Sequence, residues 1–173
     1  MTTTESNSAT SRLAGKYLTF VLSRECYGIP VLKVREIIRL AAITPVPQMP
    51  PDVKGVINLR GKIIPVIDLC TRFGMEHAAS SENACIVVVQ VNGPENRPIQ
   101  LGLAVDAVEE VCVLAAGDIE ETPEFGAAVD TSCILGMAKA KGTVKTLLDI
   151  DRAVGGSALP SASEMTGIAE AKP

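Results

Sequence analysis

The chain has 173 residues, 47% of them hydrophobic, with a formal net charge of −4, no tryptophan, three phenylalanines and two tyrosines. That length suits one domain or two small ones sharing a core. The modest negative charge argues against non-specific nucleic-acid binding, and the few aromatics leave no platform for stacking bases.

Taken in chain order, residues 1–14 are polar and small and predict a disordered arm. MTTTESNSATSR lacks the apolar stretch of a signal peptide, and no later run approaches the roughly 18 apolar residues of a membrane-spanning helix, so a cytosolic protein is expected. YLTFVLS and CYGIPV then read as strands across an SRE turn, and VKGVINL and KIIPVIDL form the next pair. Pro65, inside that second pair, predicts an edge strand or a bulge. ACIVVVQV is a continuous β-branched run and predicts burial on both faces. IQLGLAVD answers it across the loop NGPENRP, and TVKTLLDI is the last clear strand. Asp68 and Asp149 are placed to cap short helical turns. Residues 155–173, rich in Ser, Ala, Gly and Pro, predict a flexible tail.

Two blocks recur. YGIPVLKVREIIRL matches LGLAVDAVEEVCVL at a spacing of 74, with Gly28 on Gly102 and Glu36 on Glu110. GVINLRGKIIPVIDL matches GMAKAKGTVKTLLDI at a spacing of 81, with Gly55 on Gly136, Arg60 on Lys141, Gly61 on Gly142 and Asp68 on Asp149. Ungapped blocks in the same order argue for an internal duplication, with about five short strands per copy, suited to a small closed barrel. Gly61 and Gly142, each after a basic residue at a hairpin tip, predict positive φ. Gly55 and Gly136 open strands where one backbone passes close to another.

Catalytic chemistry is hard to find. Cys26, Cys70, Cys85, Cys112 and Cys133 include no C-x-x-C pair and read as small buried hydrophobes in a reducing compartment. The lone histidine, His77, has no ligands at metal-binding spacing. Asp106, Glu109 and Glu110 read as solvated carboxylates on a β surface. No nucleotide-binding or nucleophile-elbow motif is present. A binding module without a cofactor or metal is expected.

F-x-L-x(4)-Y-G-I-x-V-x-x-V-x-E-I, then P-x-x-V-K-G-V-I-N-L-R-G-K-I-I-P-V-I-D-L, then G-L-A-V-D-x-V-x-E-V, together strongly resemble the CheW family of bacterial chemotaxis adaptors, from about Lys16 to Val154. The resemblance implies an all-β fold of two small five-stranded SH3-like β-barrels packed around a shared core, with short helical turns. It implies a CheW-like domain over residues 15–154, the first barrel at about 15–80 and the second at about 81–154, with terminal strands open to exchange between them. It implies a non-enzymatic adaptor in the cytoplasm, recruited to the inner face of the membrane through receptor arrays. Its implied partners are the cytoplasmic tip of methyl-accepting chemotaxis receptors and the regulatory CheW-like domain of the histidine kinase CheA. Positions matching the family's receptor-contact region are Val34, Glu36, Gly55, Asn58, Leu59 and Arg60; the kinase contacts are not assigned to residues.

Arg60 stands at a hairpin tip with no carboxylate beside it in sequence. Three roles are open to it: reaching a partner, bracing through backbone carbonyls the groove between the barrels where the resemblance implies that the receptor's helical hairpin docks, or standing solvated in a turn. Val34 suits core packing as well as contact, and Glu36, after a helical-looking turn, is expected to be exposed. Competing functions are an adaptor of another sensory pathway, such as twitching motility, or a β-barrel that binds a small ligand between the barrels.

Overall fold

The computed structural model describes residues 12–39, 42–75, 83–93, 97–121, 133–140 and 142–155. Residues 1–11 of the predicted arm, His77, Lys141 and the tail beyond residue 155 lie outside these. The strands are β1 (Gly15–Leu22), β2 (Glu25–Pro30), β3 (Val34–Arg39), β4 (Val53–Leu59), β5 (Lys62–Asp68), β6 (Cys85–Asn92), β7 (Pro98–Val105), β8 (Ala107–Leu114), β9 (Ile119–Glu120), β10 (Ile134–Ala140) and β11 (Thr143–Leu148). Short helices follow β5 at Leu69–Arg72 and β11 at Ile150–Gly155.

Two sheets form, in the orders β8-β1-β2-β11-β10-β9 and β3-β6-β7-β5-β4. The duplication explains both. β1 pairs antiparallel with β8, as β6 does with β3. β2 runs parallel to β11, as β7 does to β5. The opening hairpin of each copy is thus built into the sheet of the other. Polar spines repeat too: the Asp68 amide donates to the Asp52 carbonyl at 2.7 Å, and the Asp149 amide to the Cys133 carbonyl at 2.8 Å. The two short helices meet where Arg72 Nε donates to the Ala153 carbonyl at 2.8 Å and Nη1 to Asp52 Oδ2 at 3.2 Å.

The core follows from strand alternation. In β6, Ile86 and Val88 enter one cluster with Ile57, Ile64 and Val66, which fills the first barrel. Val87, Val89 and Val91 point the other way, into the largest cluster, with Phe20, Ile29, Leu103 and Ile150. That cluster draws on both copies and is the shared core. A third cluster, around Tyr17, Cys112, Leu114, Ala138 and Leu147, fills the second barrel. The expected two-sided burial of β6 is therefore observed, with Ile86 to Val89 fully buried.

Local expectations hold where they rest on backbone chemistry. Asp68 Oδ1 accepts from the amides of Cys70 and Thr71 at 3.0 and 3.4 Å, and Asp149 Oδ1 from that of Arg152 at 3.3 Å. Gly61 and Gly142 have φ of 83° and 77°. Arg60 also has positive φ, 53°, so both central positions of the β4–β5 turn match the type I′ hairpin. Of the two expectations for Pro65, the edge strand is corrected: β5 is an inner strand, between β7 and β4, and the β4–β5 register shifts just beyond Pro65, where Gly55 faces Val66 and Val53 faces Ile67. Val56, opposite Pro65, directs its N–H and C=O to Thr44 at 2.9 Å each. The Val56–Pro65 pair therefore exchanges no hydrogen bonds, and pairing with β7 begins only at Val66. A missing N–H costs nothing at that position.

Candidate binding groove at the rim of the first barrel

β3 and β4 are the two edges of the five-stranded sheet, and rolling that sheet into a barrel brings them towards each other. A bulge in β3 sets what each residue faces. Val34 lies opposite Val89 and Glu36 opposite Val88, so the register shifts between them. Val34 packs on the shared core, whereas Ile38 packs inside the first barrel. Without the bulge, residues 34, 36 and 38 would share one face. With it, Glu36 turns to the barrel face, at its rim.

The carboxylate of Glu36 meets Arg60 there. Arg60 Nη2 donates to Glu36 Oε2 at 3.0 Å, with the arginine side chain 80% exposed and the glutamate 25% exposed. The expectation that Glu36 is exposed is thus corrected: the turn before it ends at Lys33, and Glu36 is half-buried in a strand. The partner missing from the sequence neighbourhood of Arg60 is supplied by the opposite edge of the barrel. The tip itself is closed by a hydrogen bond, the Gly61 amide donating to Asn58 Oδ1 at 2.9 Å.

Around this clasp lies a groove of about 410 Å³ lined by Arg35, Glu36, Leu59, Arg60, Lys62 and Gln100. Of the six positions singled out in the sequence, Glu36, Leu59 and Arg60 line it directly. Asn58 stands beside it, its side chain holding the turn. Val34 is half-buried at the start of β3. Gly55 is buried four residues back along β4, where a Cβ would come 2.1 Å from the Thr44 carbonyl oxygen. Arg35, Lys62 and Gln100 were missed by the sequence reading. The string Arg-Gly-Lys at the tip was a signal for Lys62, and Arg35 adjoins Glu36. Gln100 gave none, because it reaches the rim only through the exchange of β7.

The second barrel ends differently. Its corresponding rim forms a groove of about 360 Å³ lined by residues including Glu110, Val111, Val113, Asp118 and Lys139. Lys145 takes the place of Ile64 and is buried, 5% exposed, with Nζ 3.3 Å from Glu109 Oε2. The other oxygen of Glu109 accepts from the Cys26 thiol at 2.9 Å. Glu109 is therefore an ion-pair partner rather than a merely solvated carboxylate, and Cys26 is hydrogen-bonded rather than a plain hydrophobe. That bond, and then burial, push the Cys26 thiol up to about 11 from 9.0. At pH 9, where an ordinary thiol is half ionised, Cys26 stays protonated and is expected to alkylate slowly. Glu109→Gln removes the anion and should speed Cys26 alkylation several-fold, read by peptide mass spectrometry after timed iodoacetamide. Wild-type labelling at the rate of a free thiol would contradict the assignment.

None of the five cysteines forms a disulfide. Among the described residues, no group of three His, Cys, Asp or Glu is placed to hold a metal ion, and no helix is long and apolar enough to cross a membrane.

Residues 16–156 match the model of the CheW-like domain. The chain is 35% identical over 147 residues to a chemotaxis protein CheW of Klebsiella aerogenes, covering 82% of this chain and 86% of that protein. It is 30% identical over 150 residues to a chemotaxis protein CheW of Bacillus subtilis, covering 84% and 92%. Its structure resembles the scaffolding protein TtCheW of Thermoanaerobacter tengcongensis, with a TM-score of 0.68 at 36% identity over 78% of this chain and 88% of that one. The paired barrels, the exchanged hairpins and the N-L-R-G tip closing on Glu36 thus have one source: the chain belongs to the CheW family, whose members are scaffold proteins and not enzymes.

Proposed function

We propose that this protein couples methyl-accepting chemotaxis receptors to the histidine kinase CheA, and that the receptor's helical hairpin docks on the first-barrel rim at Glu36, Asn58, Leu59 and Arg60, with Val34 and Gly55 shaping it from behind. One observation carries the reading: the Arg60–Glu36 clasp sits on a type I′ tip beside an open groove. A helix laid in a groove needs a fixed wall and an apolar seat, which Leu59 supplies. Val34 and Gly55 act on the shape of the wall, Val34 by seating the bulge of β3 and Gly55 by admitting Thr44 beside β4. CheA binds elsewhere, through its own CheW-like regulatory domain. The protein works in the cytoplasm, drawn to the inner face of the membrane through receptor arrays.

The test is co-sedimentation with the receptor signalling tip and CheA, with kinase activity read in the same tube. A ternary complex with altered kinase activity is expected. Failure of two demonstrably active partners to bind would remove the reading. Within that assay, Arg60→Ala should weaken receptor binding about tenfold, which is about 1.4 kcal/mol. The fold should be almost unaffected, because an exposed ion pair contributes about 0–1 kcal/mol. A folded Arg60→Ala protein with unchanged receptor binding would take Arg60 out of the site.

A further inference from the structure

The first-barrel groove is cationic on a chain whose formal net charge is −4. Arg35, Arg60 and Lys62 line it against one carboxylate, Glu36. Among the described residues, neither Arg35 nor Lys62 forms an ion pair; Arg35 donates instead to the amide oxygen of Gln90 at 3.0 Å. Among the described residues, the related rim of the second barrel has Glu110 and Asp118 beside Lys139, which is itself paired with Glu120; Lys141, the match of Arg60, lies outside them.

The Arg60–Glu36 contact is built to be exchanged. It uses Nη2 of a guanidinium that is 80% exposed. A carboxylate can engage two donors of such a fork at once, so one contact leaves most of the recognition capacity unused. Exposed ion pairs are weak, so replacing one carboxylate by another meets little resistance. Glu36 cannot leave, since β3 holds it, but it can yield the guanidinium.

We infer that the segment docking on this rim presents carboxylates, and that Glu36 is a built-in competitor which a partner carboxylate displaces from Arg60. This rests on the receptor-docking reading above and adds the chemistry of the partner. The fitting ligand is a helix with an apolar side chain over Leu59 and acidic residues one turn to either side, within reach of Arg60, Lys62 and Arg35. A helix with cations there is repelled, which gives specificity as well as attraction.

The test uses the full chain and its Glu36→Gln variant, with folding checked by circular dichroism. Three probes are titrated: the receptor signalling tip, a helical Leu/Glu peptide, and the matching Leu/Lys peptide. The Leu/Glu peptide is expected to bind and the Leu/Lys peptide is not. Glu36→Gln is expected to tighten both the tip and the Leu/Glu peptide about threefold to tenfold in 50 mM salt, where surface charges are least screened. Raising salt to about 300 mM should weaken wild-type binding by a similar factor. Equal binding of the two peptides, binding of neither, or Glu36→Gln binding no better than wild type, overturns the inference. If the tip binds without any gain from Glu36→Gln, the acidic partner falls and the receptor reading stands. If the Leu/Glu peptide gains and the tip never binds, the reverse holds.

Discussion

Gly55→Ala is expected to lower stability by about 3–5 kcal/mol, enough to drop the melting temperature by roughly 10–15 °C. Two causes add. The backbone has φ of 147°, where an L side chain is strained. A Cβ would also stand 2.1 Å from the Thr44 carbonyl oxygen and 2.8 Å from its carbon, both backbone atoms. Thr44 cannot retreat without losing its two hydrogen bonds to Val56. Gly61→Ala is the control. No atom lies within 4 Å of a Cβ there, so only the left-handed conformation is penalised, by about 1–2 kcal/mol. Thermal melts of the two variants separate the contributions. A Gly55→Ala protein as stable as Gly61→Ala would mean that the Thr44 segment lying against Gly55 is misplaced. The result also bears on function: loss of receptor coupling in a Gly55 variant is expected to come from a displaced wall, not from a lost contact.

The second large effect is expected from Phe20→Ala, at about 3–5 kcal/mol. Phe20 is fully buried in the shared core and stacks on Tyr27, with ring centroids 6.2 Å apart; Tyr27 stacks in turn on Phe73. Because that core takes side chains from both copies, its loss should weaken both barrels together. Urea unfolding followed by circular dichroism and by tyrosine fluorescence should give coincident transitions at a lower midpoint. Two separated transitions, or a loss below about 1 kcal/mol, would show that each barrel stands on its own core.

Features written in local chemistry were legible in the sequence. The matched blocks announced a duplication, and the paired strands β1–β8 with β6–β3, and β2–β11 with β7–β5, repeat it in three dimensions. Gly61, Asp68 and Asp149 were readable because a turn or a cap depends on a few neighbouring residues. We read residues 15–154 as one unit divided near residue 80, with the opening hairpins exchanged.

What stayed hidden depends on closure. Glu36 and Arg60 are 24 residues apart, and only the rolling of a sheet between two edge strands joins them. The bulge at residues 34–36 likewise leaves no mark in VREIIR, since its cause is the register against β6. In TVKTLLDI, hydropathy alone would turn Val144 inward and Lys145 outward. The structure does the opposite, leaving Val144 59% exposed and burying Lys145. The match of Lys145 to Ile64 in the other copy was the available signal.

The central claim is that the receptor is held at the first-barrel rim. It is tested most directly by the amide chemical-shift footprint of the receptor signalling tip on the isotopically labelled full chain. Shifts are predicted at residues 34–36 of β3 and 58–62 of the β4–β5 tip, with β8 and β10 unmoved. A footprint centred on Val111 and Val113 at the other barrel, or spread evenly over both rims, would contradict it.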